Sequence, residues 1–342
     1  MRNCVRAGAR VRLIAGALTS MVAMACGSSS QKPTGTPKPP STVVHRGPLS
    51  DYVSAAGLRW MVVGSPRVFA EKPELLAAFE RLIPSSRLDA FAGGSGVDLR
   101  TLTEGCIAGF DYGTIYLARV GKETSKVRER FEVRLVSDAV TKSPAPGIWR
   151  VTGLIANTPE SLLTVDDDFV GISVGDPLLV RVAESFALGK FKRTSPALAG
   201  ASLSTLPREL ELAPLRFYAP GPFPETWTKG AEGLFARAYA VGASVSLGGG
   251  PSLKVHIVIS GAFGSDLEES RSRILKTWDT LLASPVGHLL ELGRAIEPGS
   301  FVLDVHEERA DFEITLNASS LIQGLSAAVQ TDTRALFDWS PK

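Results

Sequence analysis

GLFARAYAVGASVSLGGGPSLKVHIVISGAF, residues 233–263, decides the fold. Phe235, Tyr239, Val241, Val245 and Leu247 recur on alternate positions up to a Gly/Pro turn, GGGPS at 248–252. Leu253, Val255, Ile257, Ile259 and Phe263 then repeat the alternation. A period of two on both sides of a turn predicts a long antiparallel hairpin with one face toward a core.

Downstream the period changes. Ser265 and Glu268 have capping-box spacing. Leu267, Ile274, Trp278, Leu281 and Leu282 then form the stripe of an amphipathic helix. Pro285 interrupts it, and a shorter helix runs to Gly293. Phe301-Leu303-Val305 and Phe312-Ile314-Leu316 predict a last hairpin, and 319–329 a final helix.

Upstream, LRWMVVG at 58–64 predicts a buried strand. Pro73 opens a helix carrying Leu75, Leu76, Phe79, Leu82 and Ile83 on one face, and Pro84 stops it. A second helix, 86–91, runs into Gly93-Gly94-Ser95-Gly96, read as a turn. A hairpin around Asp111-Tyr112-Gly113 and a short helix at 125–130 follow. RFEVRLV, 130–136, alternates with Phe131, Val133 and Leu135 on one side, and its second half reads as strand. Strands are expected at 148–156, 162–165, 169–174 and 215–219, with a helix from Asp176-Pro177 to about Gly189. Residues 194–210 read as a short helix and loop.

The fold class is therefore α+β, a mainly antiparallel sheet with packed helices. Residues 58–131 and 253–329 share the order strand, helix, helix, strand, strand, helix. That order predicts two similar β-α-α-β-β-α lobes, joined as one continuous sheet.

The amino terminus is of another kind. Arg2, Arg6, Arg10 and Arg12 precede thirteen uncharged residues, Leu13 to Ala25, with small Ala23 and Ala25 at the end. This order marks residues 1–25 as a secretory signal, and the run is short for a membrane span, which needs about 18 apolar residues. Ala23-Met24-Ala25-Cys26 resembles the lipobox of bacterial lipoprotein precursors, with Ala23 where that family prefers Leu. The resemblance covers the first 26 residues. It implies cleavage before Cys26, acylation of that cysteine, and attachment to membrane lipid. The same residues also fit cleavage after Ala-x-Ala, which leaves Cys26 free. Gly27 stands where enterobacteria-like lipoproteins kept in the inner membrane carry Asp. The resemblance therefore implies a cell-envelope protein with an outer-membrane destination favoured.

Residues 26–50 hold the proposed lipid site and a Pro/Ser-rich stretch that builds no core. As a coiled tether it reaches roughly 25–30 Å. The globular body is assigned to 51–342. Without the four arginines of the signal, the formal charge changes from +2 to −2, with 33 basic and 35 acidic residues. No Lys/Arg-rich run remains, so nucleic-acid binding has no electrostatic basis.

Cys4 leaves with the signal and Cys26 is the lipid site, so Cys106 in GCIAGF reads as a buried core thiol with no disulfide framework. Gly93–Gly96 lacks the last Gly of a nucleophile elbow and the Lys of a phosphate loop. Asp166-Asp167-Asp168 lacks the alternate spacing and closing Glu of a calcium loop and reads as a hairpin turn. His256 and His306, with Asp304, fall on the polar sides of their strands and would meet if those strands were neighbours. His288 reads as structural, and His45 as solvated. No catalytic, cofactor-binding or metal residue is assigned, and no cofactor is expected. The Pro-rich loop APGPFPETW, 219–227, with Tyr218, Phe223 and Trp227, is a candidate contact surface.

These features point to a membrane-anchored binding or assembly module that engages an envelope protein. The alternatives are a carrier of lipid or another apolar ligand, an envelope hydrolase assembled from dispersed Ser, His and Asp, and a scaffold with no ligand.

Overall fold

Alternating sequence becomes strand, and the strands join edge to edge. The protein is seen here as a computed structural model that describes residues 44–191, 194–210, 212–225, 228 and 234–330. The amino-terminal half supplies β1 (Leu58–Gly64), β2 (Gly105–Phe110), β3 (Gly113–Arg119), β4 (Ser137–Ala145), β5 (Ile148–Ile155), β6 (Thr158–Val165) and β7 (Phe169–Val174). The rest supplies β8 (Leu215–Pro220), β9 (Ala238–Leu247), β10 (Ser252–Gly261), β11 (Val302–Val305) and β12 (Arg309–Asn317). All twelve lie in one sheet, in the order β11-β12-β10-β9-β8-β1-β2-β3-β7-β6-β5-β4. Every pairing is antiparallel. The α+β class holds, and the two halves share one continuous sheet.

Ten α-helices are found among the described residues. They are α1 (Pro66–Ala70), α2 (Pro73–Leu82), α3 (Ser85–Ser95), α4 (Thr124–Arg134), α5 (Leu178–Ala187), α6 (Leu206–Glu209), α7 (Leu267–Ala283), α8 (Pro285–Leu289), α9 (Leu292–Ala295) and α10 (Ala318–Gln330).

Each face of the sheet carries its own packed elements. On the first face Met61, Cys106, Ala108, Ile115, Leu117, Leu163, Phe169 and Tyr218 pack beneath Val180, Ala183 and Phe186 of α5 and beneath Leu49 and Tyr52. Each large side chain so buried contributes roughly 1.5–3 kcal/mol. Gly242 lets α6 approach closely: a Cβ there would sit 2.8 Å from Leu210 Cδ1. On the second face, Val127 and Phe131 of α4 cover Val151, Leu162 and Val170. Ile274 of α7 packs with Ile259, Leu303 and Phe312, and Leu75 of α2 packs with Ile314 and Leu316.

Several expectations need correction. Residues 130–134 extend α4, and the strand starts only at Ser137. Val127 and Phe131, four apart, both face the sheet, whereas Val133 is 85% exposed. The helical stripe buries more than the alternation would. Gly93 and Gly94 belong to the last turn of α3, and Gly96, at φ 80°, ends it in the left-handed conformation. The cap of α7 is Asp266, whose carboxylate accepts from Glu269 N, one residue later than the expected Ser265–Glu268 pair. Tyr239, expected inward, is 59% exposed.

The body also begins before residue 51. Leu49 and Ser50 are buried, and Val44 packs against the central cluster. Finally, the two segments with the same chain order pair differently. The first runs β1-β2-β3 across the sheet, whereas the second runs β10-β12-β11. The second strand of the last hairpin, not the first, lies beside β10, so the common order does not extend to a common strand arrangement.

Candidate functional site

The densest polar cluster in the fold lies where the chain leaves the Pro/Ser-rich stretch and joins the body. In β3 the alternation Ile115, Leu117, Arg119 places a guanidinium in a register that otherwise faces the core. Arg119 reaches in three directions. Nε donates to Glu104 Oε2 at 3.0 Å, Nη2 to Gly47 O at 2.8 Å, and Nη1 to Asp168 Oδ1. Glu104 Oε1 also accepts from Leu49 N at 2.7 Å. Asp168 closes the β6–β7 turn, and its backbone oxygen accepts from Val120 N and Gly121 N. Its Oδ2 is buried without a partner, so Arg119 is the cation that stabilises its charge.

Tyr52 seals the same junction from beneath. Its Oη donates to His45 O at 2.6 Å and accepts from Gly47 N at 3.3 Å. Burial pushes the phenol's pKa up, partly opposed by its hydrogen bond with Gly47, while the Asp168 charge adds to the rise. His45 is not the solvated residue expected. Its ring lies 5.3 Å from Phe191, edge on, and 3.4 Å from Asp51 Oδ2, and its amide donates to Ala187 O.

Beside this clamp opens a cleft of about 310 Å³, lined by Ser65, Thr103, Glu104, Arg119, Pro214 and Arg216 among others. Arg216 pairs with Val63 across β1–β8 and shares the first face with Tyr218. Its Nε is buried without a hydrogen-bond partner, as is Tyr218 Oη. Burial pushes the Tyr218 phenol up, against the pull of the neighbouring guanidinium.

The expected contact loop is not assembled as predicted. Tyr218 is fully buried, because β8 continues its alternation to Pro220 and turns that ring into the central core. Phe223 is partly buried against the carboxy-terminal cluster, 5.2 Å from the Phe235 ring, and so staples the loop rather than presenting it. Trp227 and Cys26 lie outside the described residues.

Nor do the histidines converge. β12 lies between β10 and β11. His256 pairs with Asp311 at 3.2 Å and His306 with Asp304 at 3.3 Å. Ser244 stands opposite His256 on β9, but neighbouring backbone groups are committed to the β9–β10 and β10–β12 ladders, which leaves no paired amides for an oxyanion. Cys106 is buried as expected, and burial drives its thiol well above the ordinary range. Among the described residues no group of three or more His, Cys, Asp and Glu is placed to hold a metal.

Between α4 and the carboxy-terminal helices, the second face of the central strands is partly bare. Ile107 is 38% and Tyr116 45% exposed. No helix among the described residues is long and apolar enough to cross a membrane.

The chain is thus an α+β protein on a single antiparallel sheet with a polar junction at its amino-terminal end. No protein-family model matches it, and no curated protein matches it. Two solved structures resemble it, crystal forms III and IV of TP0453. Their TM-scores are 0.47 and 0.46 and their identities 11% and 13%. The likeness spans 83% and 82% of this chain and 99% and 96% of theirs. At that depth, function has to be argued from the chain's own residues.

Proposed function

We propose that the chain is a lipid-anchored protein of the bacterial cell envelope whose α+β body is a non-enzymatic binding module. The observation that carries this reading is the junction. Segment 44–50 is pinned by Arg119, Glu104 and Tyr52 beside an open polar cleft. The lipobox-like Ala23-Met24-Ala25-Cys26 supplies the anchor, and the Pro/Ser-rich stretch supplies the tether. Two or three acyl chains hold firmly, at roughly 0.8 kcal/mol for each buried CH₂. The outer membrane is the favoured destination, on the strength of Gly27.

A carrier of apolar chains needs an enclosed apolar cavity. The cleft at the junction is open and lined by arginines, hydroxyls and a carboxylate, a setting for recognition at a surface. The test is growth with radiolabelled palmitate, followed by fractionation. Label in the wild type, lost with membrane association in Cys26→Ser, is expected. A wild-type protein that takes no label ends the lipid-anchor reading.

A further inference from the structure

We infer that the junction cleft is an anion site in which Arg216 takes a phosphate group, and that the source is the headgroup of a phospholipid in the anchoring membrane. The inference begins with register. Val63 pairs with Arg216 and Met61 with Tyr218, so the guanidinium emerges on the core face rather than into bulk water. The carboxylates nearest the cleft are already engaged, since Arg119 holds both Glu104 and Asp168. Arg216 makes no ion pair among the described residues; its guanidinium bears on the Tyr218 phenol, and its Nε is buried without an acceptor in ordinary hydrogen-bond geometry. An unmade buried donor is destabilising, more so when the group is charged. The phenol is neutral, so the guanidinium's charge still has no counter-ion among the described residues.

The rest of the cleft suits that partner. Ser65 and Thr103 line it, and neither hydroxyl is bonded to the protein among the described residues. A volume of about 310 Å³ admits a phosphodiester with the first atoms of its substituents. The planar guanidinium fork matches two phosphate oxygens, which a point charge would not. Among the charged residues of the lining, Glu104 offsets one of the two guanidiniums, so the lining itself carries a net +1.

Position selects the source. Glu104 and Arg119 line the cleft and also hold Leu49 N and Gly47 O. The Arg119–Glu104 edge of the cleft therefore lies within one side chain of residues 47–49, and a short tether keeps headgroups at a high effective concentration there. This choice of source rests on the lipid-anchored reading, whereas the anion site itself does not.

The experiment uses the full chain carrying Cys26→Ser, so that no acyl chain contributes. One probe is vesicles of phosphatidylglycerol in phosphatidylcholine, read by cosedimentation. The other is inorganic phosphate, read by titration calorimetry. Vesicle binding should fall about tenfold in Arg216→Gln and about threefold in Ser65→Ala, with partial recovery in Arg216→Lys. Arg208→Gln, which removes an exposed arginine, should bind as the parent does. Phosphate binding that depends on Arg216, without vesicle binding, overturns the headgroup as source. A parent that binds neither probe, or an Arg216→Gln chain that melts and binds as the parent does, overturns the anion site. Failure of palmitate labelling removes the anchor but leaves the binding result standing.

Discussion

Arg119→Met removes the guanidinium while keeping much of the side chain's length and apolar stem. The consequence can be worked from the three groups it leaves. Asp168 is 7% exposed and its second oxygen is already unpartnered, so its charge loses its counter-ion inside the protein. Glu104 is 20% exposed and keeps only the Leu49 amide. Gly47 O loses its donor. Breaking a fully buried ion pair costs about 3–5 kcal/mol. Arg119 is itself 28% exposed, so water compensates part of the loss and about 2–4 kcal/mol is expected. For a body of this size that is about 3–7 °C in Tm. The assay is urea unfolding, with amide exchange of Leu49 as a local reporter. Adding Asp168→Asn should restore at least about 1.5 kcal/mol, because it removes the stranded charge and keeps the shape. A loss below about 1 kcal/mol would refute the clamp.

Two further outcomes follow from packing and burial. Gly324 of α10 lies so close to Leu290 that a Cβ would meet its backbone at 2.3–2.8 Å. Backbone cannot swing aside, so Gly324→Ala should cost about 1–3 kcal/mol in urea unfolding, and an unchanged midpoint contradicts the helix contact. The raised thiol pKa of Cys106 makes two measurable differences. Its native reaction with a thiol reagent should proceed only at the rate of unfolding. Its stability contribution has a definite sign: the folded pKa lies above the unfolded one, so the contribution is complete below about pH 8.5 and drains as pH rises beyond it. Tyr52 and Tyr218, both raised chiefly by burial, extend the same loss above about pH 10. Cys106→Ala should flatten the first part of that decline, and an identical slope between pH 8 and 10 would contradict it.

What could be read in the sequence was local and periodic. The 238–261 hairpin, the last hairpin and α7 each repeat one period long enough to exclude the other. Where two periods overlap the reading failed, as at 130–136, where Phe131 serves both a strand alternation and an i,i+4 pair with Val127. Strand neighbours were out of reach, because nothing local in β8 says that it lies between β1 and β9. The site was half legible. Arg119 and Arg216 each sit in an inward register among apolar residues, a signal available from period two alone. Glu104 and Asp168 carried none, since three separate segments must converge before they share a cation. Tyr218 was misjudged because it adjoins a Pro-rich loop, although its alternation with Arg216 already turned it inward.

The chemistry of the junction bears on why it is polar at all. If stability alone were at stake, apolar side chains would serve as well, because replacing a buried ionic cluster with packed hydrocarbon is often neutral or stabilising. Directionality is what hydrocarbon cannot supply. Arg119 fixes Gly47 O and Glu104 fixes Leu49 N, which sets the line along which the chain leaves the body. Arg216, on β8 and separated from β3 by β1 and β2, is left without a counter-ion among the described residues. A body that floats free gains nothing from a fixed exit vector. On the lipid-anchored reading proposed above, the fixed exit brings the chain off the body at the Arg119 edge of the cleft.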